Sequence, residues 1–221
     1  MVYLAIPTYD GKMHWTTVAG IAQSARACGE RKIGFAVDVI PGDAFIGKAR
    51  NLLVHRFLKS GFRDLLFVDA DVGFTAEGLA ALCEAEPPLV MGLYRMKCPP
   101  PTRYPALMYD PIERHPSDPS LVKLQYGPAG FMRVRREVFD AMRERWPDEY
   151  YVNAGEEKVY DYFPCGRVGQ HFTGEDLNFC IRAQQCGFDV WAKQDIELKH
   201  TGENCWPSKW AIDKLELAEA A

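Results

Sequence analysis

Four short apolar runs separated by helical stretches constrain this chain more than any other feature. They are VYLAI (2–6), KIGFAVDVI (32–40), DLLFVDAD (64–71) and LVMGLY (89–94). Strands this apolar are buried on both faces, as in parallel sheets whose crossovers are helices. The intervening segments read as those helices. Met13 to Cys28 is Ala-rich and stops at Gly29. Ile46 to Lys59 has apolar residues at Leu52, Leu53, Phe57 and Leu58 and stops near Gly61. Thr75 caps a third helix to about Glu86, with Glu77 in its first turn, where negative charge suits the helix dipole. The spacing predicts a doubly wound α/β sheet.

Ligands of such sheets bind beyond the carboxyl ends of the strands. Those ends carry Thr8-Tyr9-Asp10, Asp38, Asp69-Ala70-Asp71 and Tyr94-Arg95. The alternation then breaks. Lys97 to Pro119 is Pro-rich and reads as a long excursion. LVKLQYGPAGFMRVRREVFDAM gives a strand, a Gly-rich turn, a second strand and a helix. Trp146 to Thr173 is aromatic and Gly-rich without a clear period. GEDLNFCIRAQQCG is a helix that stops at Gly187. FDVWA and IELKH are short strands, and Trp206 to Ala221 is expected as a tail helix.

Composition narrows the function classes. A length of 221 residues suits one domain, and a net charge of −4 lacks the basic excess of a non-specific nucleic-acid binder. No apolar run approaches the roughly 18 residues of a membrane span, so no transmembrane segment is expected. The N-terminus lacks the basic start and cleavage region of a signal peptide. Seven cysteines, an odd number without zinc-ribbon spacing, lie mostly beside apolar residues, as buried thiols do, and read as those of a reducing compartment. The expected location is cytoplasmic: soluble, or peripheral to a membrane.

Four constellations carry chemistry. Asp69-Ala70-Asp71 ends a buried strand, where two carboxylates are costly to desolvate without a positive partner. Mg²⁺ and Mn²⁺ take such oxygen ligands together with phosphate and water. Alone, the pair also reads as two solvated acids. Gly174-Glu175-Asp176 opens a helix, where acids serve the dipole or acid–base work, and Thr173 is the expected N-cap. Tyr126 to Phe131 places Gly127 and Gly130 around Pro128, which allows close backbone approach or makes a plain turn. His200 follows a strand; a lone His is more often structural, but beside aspartates it would ligate a metal.

These four features, in this order, resemble GT-A fold nucleotide-sugar glycosyltransferases, particularly the family-2-like group. IPTYDG looks like that group's first strand and nucleotide loop. GKARNLLVHRFLKSGFRDLLFVDADVGF is similar to its second helix, strand and DxD. YGPAGFMRVRREVFD resembles its glycine-rich loop with the following strand and helix. GEDLNFCIRAQQCGFDVWAKQDIELKHTG is similar to its xED helix and C-terminal histidine. The resemblance covers roughly residues 1 to 206 and leaves 97–119 unmatched.

It implies a single GT-A domain over 1–221, with a mostly parallel Rossmann-like sheet and a smaller acceptor-side sheet. Residues 1–95 would be the nucleotide-sugar half, 96–205 the acceptor and catalytic half, and 206–221 the tail helix. Thr8, Tyr9, Asp10, Asp38, Arg50, Asp69, Ala70 and Asp71 would line the donor site. Asp71 would bind Mn²⁺ or Mg²⁺, with Asp69 and His200 assisting. Asp176 would be the general base of an inverting transfer, with Glu175 its nearest substitute. Gly127, Ala129, Gly130, Asp161 and Trp206 would face the acceptor. The donor would be a nucleoside diphosphate sugar, UDP by default, and the acceptor a glycan, glycolipid or protein hydroxyl. Other readings share parts of the pattern. They are a non-catalytic nucleotide-sugar-binding module, a nucleotidyltransferase, for which PTYDGK is a poor loop, and a DxD phosphatase, whose motif belongs on the first strand.

Overall fold

The computed structural model describes residues 1–154 and 157–211. The first half contains β1 (Val2–Thr8), α1 (Trp15–Glu30), β2 (Phe35–Pro41), α2 (Ile46–Lys59), β3 (Asp64–Val68), β4 (Val72–Phe74), α3 (Ala76–Glu84) and β5 (Leu89–Gly92). The second adds β6 (Leu107–Met108), β7 (Leu121–Tyr126), β8 (Phe131–Arg135), α4 (Arg136–Arg145), β9 (Tyr150–Asn153), β10 (Glu157–Tyr160), β11 (Gly166–Val168) and β12 (His171–Thr173). It closes with α5 (Glu175–Gln185), β13 (Val190–Lys193), β14 (Glu197–Thr201) and β15 (Cys205–Lys209).

An eight-stranded sheet of order β2-β1-β3-β8-β5-β13-β7-β6 forms the centre. β1 pairs parallel with β2 and β3, as the apolar runs and helical crossovers predict, and β13 also pairs parallel with β5. β8 runs antiparallel between β3 and β5, and β7 antiparallel between β13 and β6. Every strand but β7 and β8 therefore points the same way. Alternate residues serve opposite faces. Tyr3, Ala5, Leu65 and Phe67 join one cluster with Leu53, Phe57, Phe139 and Phe179 from α2, α4 and α5. Val2, Leu4, Ile6, Leu66 and Val68 join another with Leu79 and Leu82 of α3. The period of two thus buries both faces.

Both strands expected around the Gly-rich turn at 127–130 exist, but they are not neighbours. Phe131, Met132, Arg133 and Val134 of β8 are all 0% exposed, which requires a central place. Arg133 is tolerated there because its guanidinium donates to the carbonyls of Leu82 (3.1 Å) and Ala85 (2.7 Å). The stretch 146–173 resolves into the hairpins β9–β10 and β11–β12. Two local expectations are corrected. Residues 205–209 form a strand, not the start of a tail helix, and Pro207 is accommodated because β15 is an edge strand. Residues 212–221 of that expected helix lie outside the described residues. The N-cap of α5 is Gly174; the Thr173 hydroxyl instead bonds Gly166 O and Asn178 Oδ1, each at 3.0 Å. All seven cysteines are free, but only Cys28 and Cys180 are buried, and Cys165 and Cys205 are exposed, a correction to the expectation of mostly buried thiols. Among the described residues, no helix is long and apolar enough to cross a membrane.

Candidate functional site

Asp69 and Asp71 stand in the turn between β3 and β4. The Asp69 N–H donates to Gly130 O at 2.9 Å, tying the turn to the residue before β8. Gly130 is needed there: a Cβ would lie 2.3 Å from Tyr94 Oη and 2.4 Å from Asp69 Oδ2. The buried stripe of α2 (Ala49, Leu53, Val54, Phe57) also includes Arg50, 1% exposed. Its guanidinium reaches Asp69 Oδ1 at 2.9 Å, Glu175 Oε1 at 2.5 Å and Asp176 Oδ1 at 3.6 Å. Gly47, one turn earlier, permits this approach. A Cβ there would come 2.5 Å from Phe163 O and 3.6 Å from Glu175 Cβ.

Three carboxylates around one cation do not all ionise alike. Burial pushes Glu175 up to about 7, the neighbouring Asp176 adds to this, and Arg50 opposes it. Burial acts in the same sense on Asp176. There Arg50, Glu175 and the Ala129 N–H, 3.2 Å from Oδ2, outweigh it and hold the group below its usual range. Asp69 is raised by burial against Arg50, with Asp71 and Asp176 adding. Near neutrality Glu175 is the natural holder of a proton and Asp176 is an anion a third exposed to solvent. An ionised carboxylate can accept a proton, and one held below its usual range does so more weakly than one whose pKa lies near the working pH.

Asp71 has a different setting, with its side chain 40% exposed. A three-stranded sheet of order β15-β14-β4 carries it to His200, so this smaller sheet lies at the DxD turn. Thr201 donates from N (2.9 Å) and Oγ1 (2.8 Å) to Asp71 O. His200 Nδ1 is 2.9 Å from Arg95 O; a carbonyl only accepts, so Nδ1 carries the proton and Nε2 the lone pair. Burial lowers the His200 pKa, consistent with a neutral ring. Nε2 lies 3.8 Å from Asp71 Oδ1. The other oxygen of Asp71 pairs with the Lys97 ammonium. Among the described residues, no group of three His, Cys, Asp or Glu side chains could hold a metal. Asp71 and His200 do fit Mn²⁺ or Mg²⁺ whose other ligands are phosphate oxygens and water.

Two clefts meet at Ile46. One, of about 550 Å³, is lined by Tyr9, Asp10, His14, Asp69, Ala70, Asp71, Lys97 and Thr201. Tyr9 is 77% exposed at its edge. The other, of about 430 Å³, is lined by Phe45, Asn51, Tyr151, Asp161, Phe163 and Glu175. Asn51 organises its wall: Nδ2 donates to Asp161 Oδ1 (2.8 Å), and Oδ1 accepts from Tyr162 N and Phe163 N (2.9 and 3.1 Å).

The structure therefore brings together Tyr9, Asp10, Ala70, Asp71 and His200 on one side. Arg50, Asp69, Ala129, Gly130, Glu175 and Asp176 form the centre, and Asp161 stands on the other side. Thr8 is buried at the end of β1. Asp38 is not at a strand end, a correction: β2 continues to Pro41, and Asp38 is held by Tyr3 Oη (2.5 Å) and Arg56 (2.9 Å). Gly127 faces the core, where a Cβ would lie 2.2 Å from Met91 Sδ. Trp206 stacks under Arg95, 4.7 Å away, opposite His200 rather than beside Asp161. Sequence reading missed Lys97, His14, Asn51 and Thr201. Only Asn51 carried a signal, as a second polar residue on the apolar face that holds Arg50.

No protein-family model matches this sequence, and no curated protein matches it. Solved structures do. The protein A197 from STIV matches over 98% of both chains with a TM-score of 0.56 and 13% identity. GalNAc-T7, in a structure with UDP, GalNAc and Mn²⁺, matches 87% of this chain and 42% of its own, with a TM-score of 0.51 and 9% identity. The likeness is one of fold: a GT-A α/β architecture with a large, mostly parallel central sheet and smaller accessory sheets.

Proposed function

We propose that this chain is a metal-dependent glycosyltransferase that moves a sugar from a nucleoside diphosphate sugar, UDP first, to an acceptor hydroxyl with inversion. The observation that carries this reading is the division of labour around Arg50. Asp69 and Asp71 line one cleft, with His200 behind Asp71, Glu175 lines another, and Asp69, Glu175 and Asp176 all lie within reach of one guanidinium. The GT-A architecture supports it, as does the UDP and Mn²⁺ held by the distantly similar GalNAc-T7.

Tyr9 would stack on the base and Asp10 would meet the ribose. Asp71 and His200 would hold Mn²⁺ or Mg²⁺. When bound, that ion would offset the charge developing on the departing diphosphate. Arg50 fixes Asp69 and keeps Asp176 ionised. Asp176 would take the proton from the acceptor hydroxyl as it attacks the anomeric carbon opposite the leaving group. The Glu175 cleft, with Phe45, Tyr151 and Phe163, would admit a glycan, glycolipid or protein acceptor. A phosphatase would need Asp69 free to attack phosphorus, yet the buried Arg50 guanidinium holds its Oδ1.

Calorimetric titration with UDP and GDP, with and without Mn²⁺, tests the reading. The expected result is metal-dependent binding of one nucleotide, lost in Asp71→Ala. Absence of binding by either nucleotide to the folded protein would remove the donor site.

A further inference from the structure

Lys97 opens the Pro-rich segment that the family resemblance leaves unmatched. Its ammonium pairs with Asp71 Oδ2 inside the larger cleft. Gly202 makes room for it: a Cβ there would lie 3.3 Å from Lys97 Cδ and 3.7 Å from Nζ. Backbone hydrogen bonds from Met96 N to Arg103 O (2.8 Å) and Cys98 N to Met96 O (2.9 Å) fix the flanking chain. The root of the side chain is therefore held while its flexible stem is not. Both partners are more than a third exposed, so the pair exchanges readily with solvent and other ions. The second oxygen of the same carboxylate faces the His200 lone pair. The best divalent-cation ligand in the cleft is thus already neutralised by the chain's own cation.

We propose that Lys97 is the resident counter-ion of Asp71, displaced when a divalent cation enters and then taken up by the diphosphate of the nucleotide. This rests on the donor-site reading above. An ammonium and a divalent ion on one carboxylate repel each other, so metal entry must release Lys97. A diphosphate in the cleft gives the released ammonium a new partner. Nucleotide therefore promotes metal uptake, and by linkage metal promotes nucleotide uptake to the same degree. Without nucleotide the protein takes up metal weakly.

Lys97→Met tests this, because it keeps the stem against Gly202 and removes the charge; Lys97→Gln is the second variant and Lys97→Arg the rescue. Mn²⁺ is titrated into the full chain without nucleotide, and UDP is titrated in EDTA, each by calorimetry. Mn²⁺ is expected to bind about tenfold tighter to Lys97→Met and Lys97→Gln than to wild type, with Lys97→Arg near wild type. UDP in EDTA is expected to bind about tenfold weaker to the two neutral variants. Unchanged or weaker Mn²⁺ binding in both neutral variants would overturn the displacement. Equal UDP affinity in EDTA would overturn the transfer to the diphosphate. Failure of the donor reading looks different: no protein would bind UDP under any condition, whatever the substitutions did to Mn²⁺.

Discussion

Arg50 Nη1 lies 2.5 Å from Glu175 Oε1, a contact spanning 125 positions of sequence. It joins the second helix to the start of the fifth and draws Asp69 and Asp176 into the same cluster. Without it, three carboxylates would face one another across the junction of the two clefts.

Arg50→Met should destabilise the protein by about 3 kcal/mol or more, since the carboxylates left behind lose their buried partner. Urea unfolding at pH 7.5 measures this. A loss below about 1 kcal/mol would mean the cluster is far more hydrated than its burial indicates.

The Glu175 carboxyl is raised from 4.5 to about 7 in the fold. Between those values the native state binds more protons than the unfolded chain, so stability falls as pH rises through that window and levels off above it. Glu175→Gln should reduce this fall, the raised Asp69 carboxyl keeping part of it. It should exceed wild type by about 2 kcal/mol at pH 8, discounted for solvent screening, and match it near pH 4.5. Thermal melting against pH shows the difference. A variant less stable than wild type at pH 8 would reverse the sign.

Asp176→Asn should lower the rate of donor consumption about 10²- to 10⁴-fold while leaving the affinity for UDP with Mn²⁺ within about threefold of wild type. Single-turnover assays beside calorimetry separate the two. Weakened nucleotide binding at an unchanged rate would move the residue to the donor site.

Tyr9→Ala should weaken UDP binding by about 1–3 kcal/mol, the cost of losing a stacked base, without shifting the melting temperature. An exposed ring with no core contact to lose makes the second half a sharp control. Unchanged affinity would place the base elsewhere.

Gly130→Ala should cost about 1–3 kcal/mol of stability by overpacking Tyr94 and Asp69. It should also weaken Mn²⁺-dependent UDP binding, because the DxD turn hangs on the Gly130 carbonyl. A variant unchanged in both would show that the turn has slack.

The layered α/β fold was legible because VYLAI and DLLFV are long enough and apolar enough to need cover on both faces. Strand order was not, because pairing is non-local: the local spacing around Gly127 and Gly130 is equally compatible with a hairpin. Asp38 misled for a related reason. An acid inside an apolar run looks like a strand end, whereas Tyr3 and Arg56 stabilise it in mid-strand. The proximity of Asp71 to His200 followed from motif order, but the register that creates it is a property of β4 and β14. Lys97 was invisible, since one lysine before a run of prolines carries no period and no motif.

The position of β8 bears on how the molecule can be made and divided. During synthesis the first 95 residues would emerge with β3 and β5 both present and nothing between them. The sheet could not close until the ribosome had delivered residue 135. A fragment ending at 95 would therefore show two raw strand edges to its neighbours, and would be expected to clump rather than act as a portable nucleotide-binding module. Supplying the remaining segment in trans is the cleaner way to dissect the two halves.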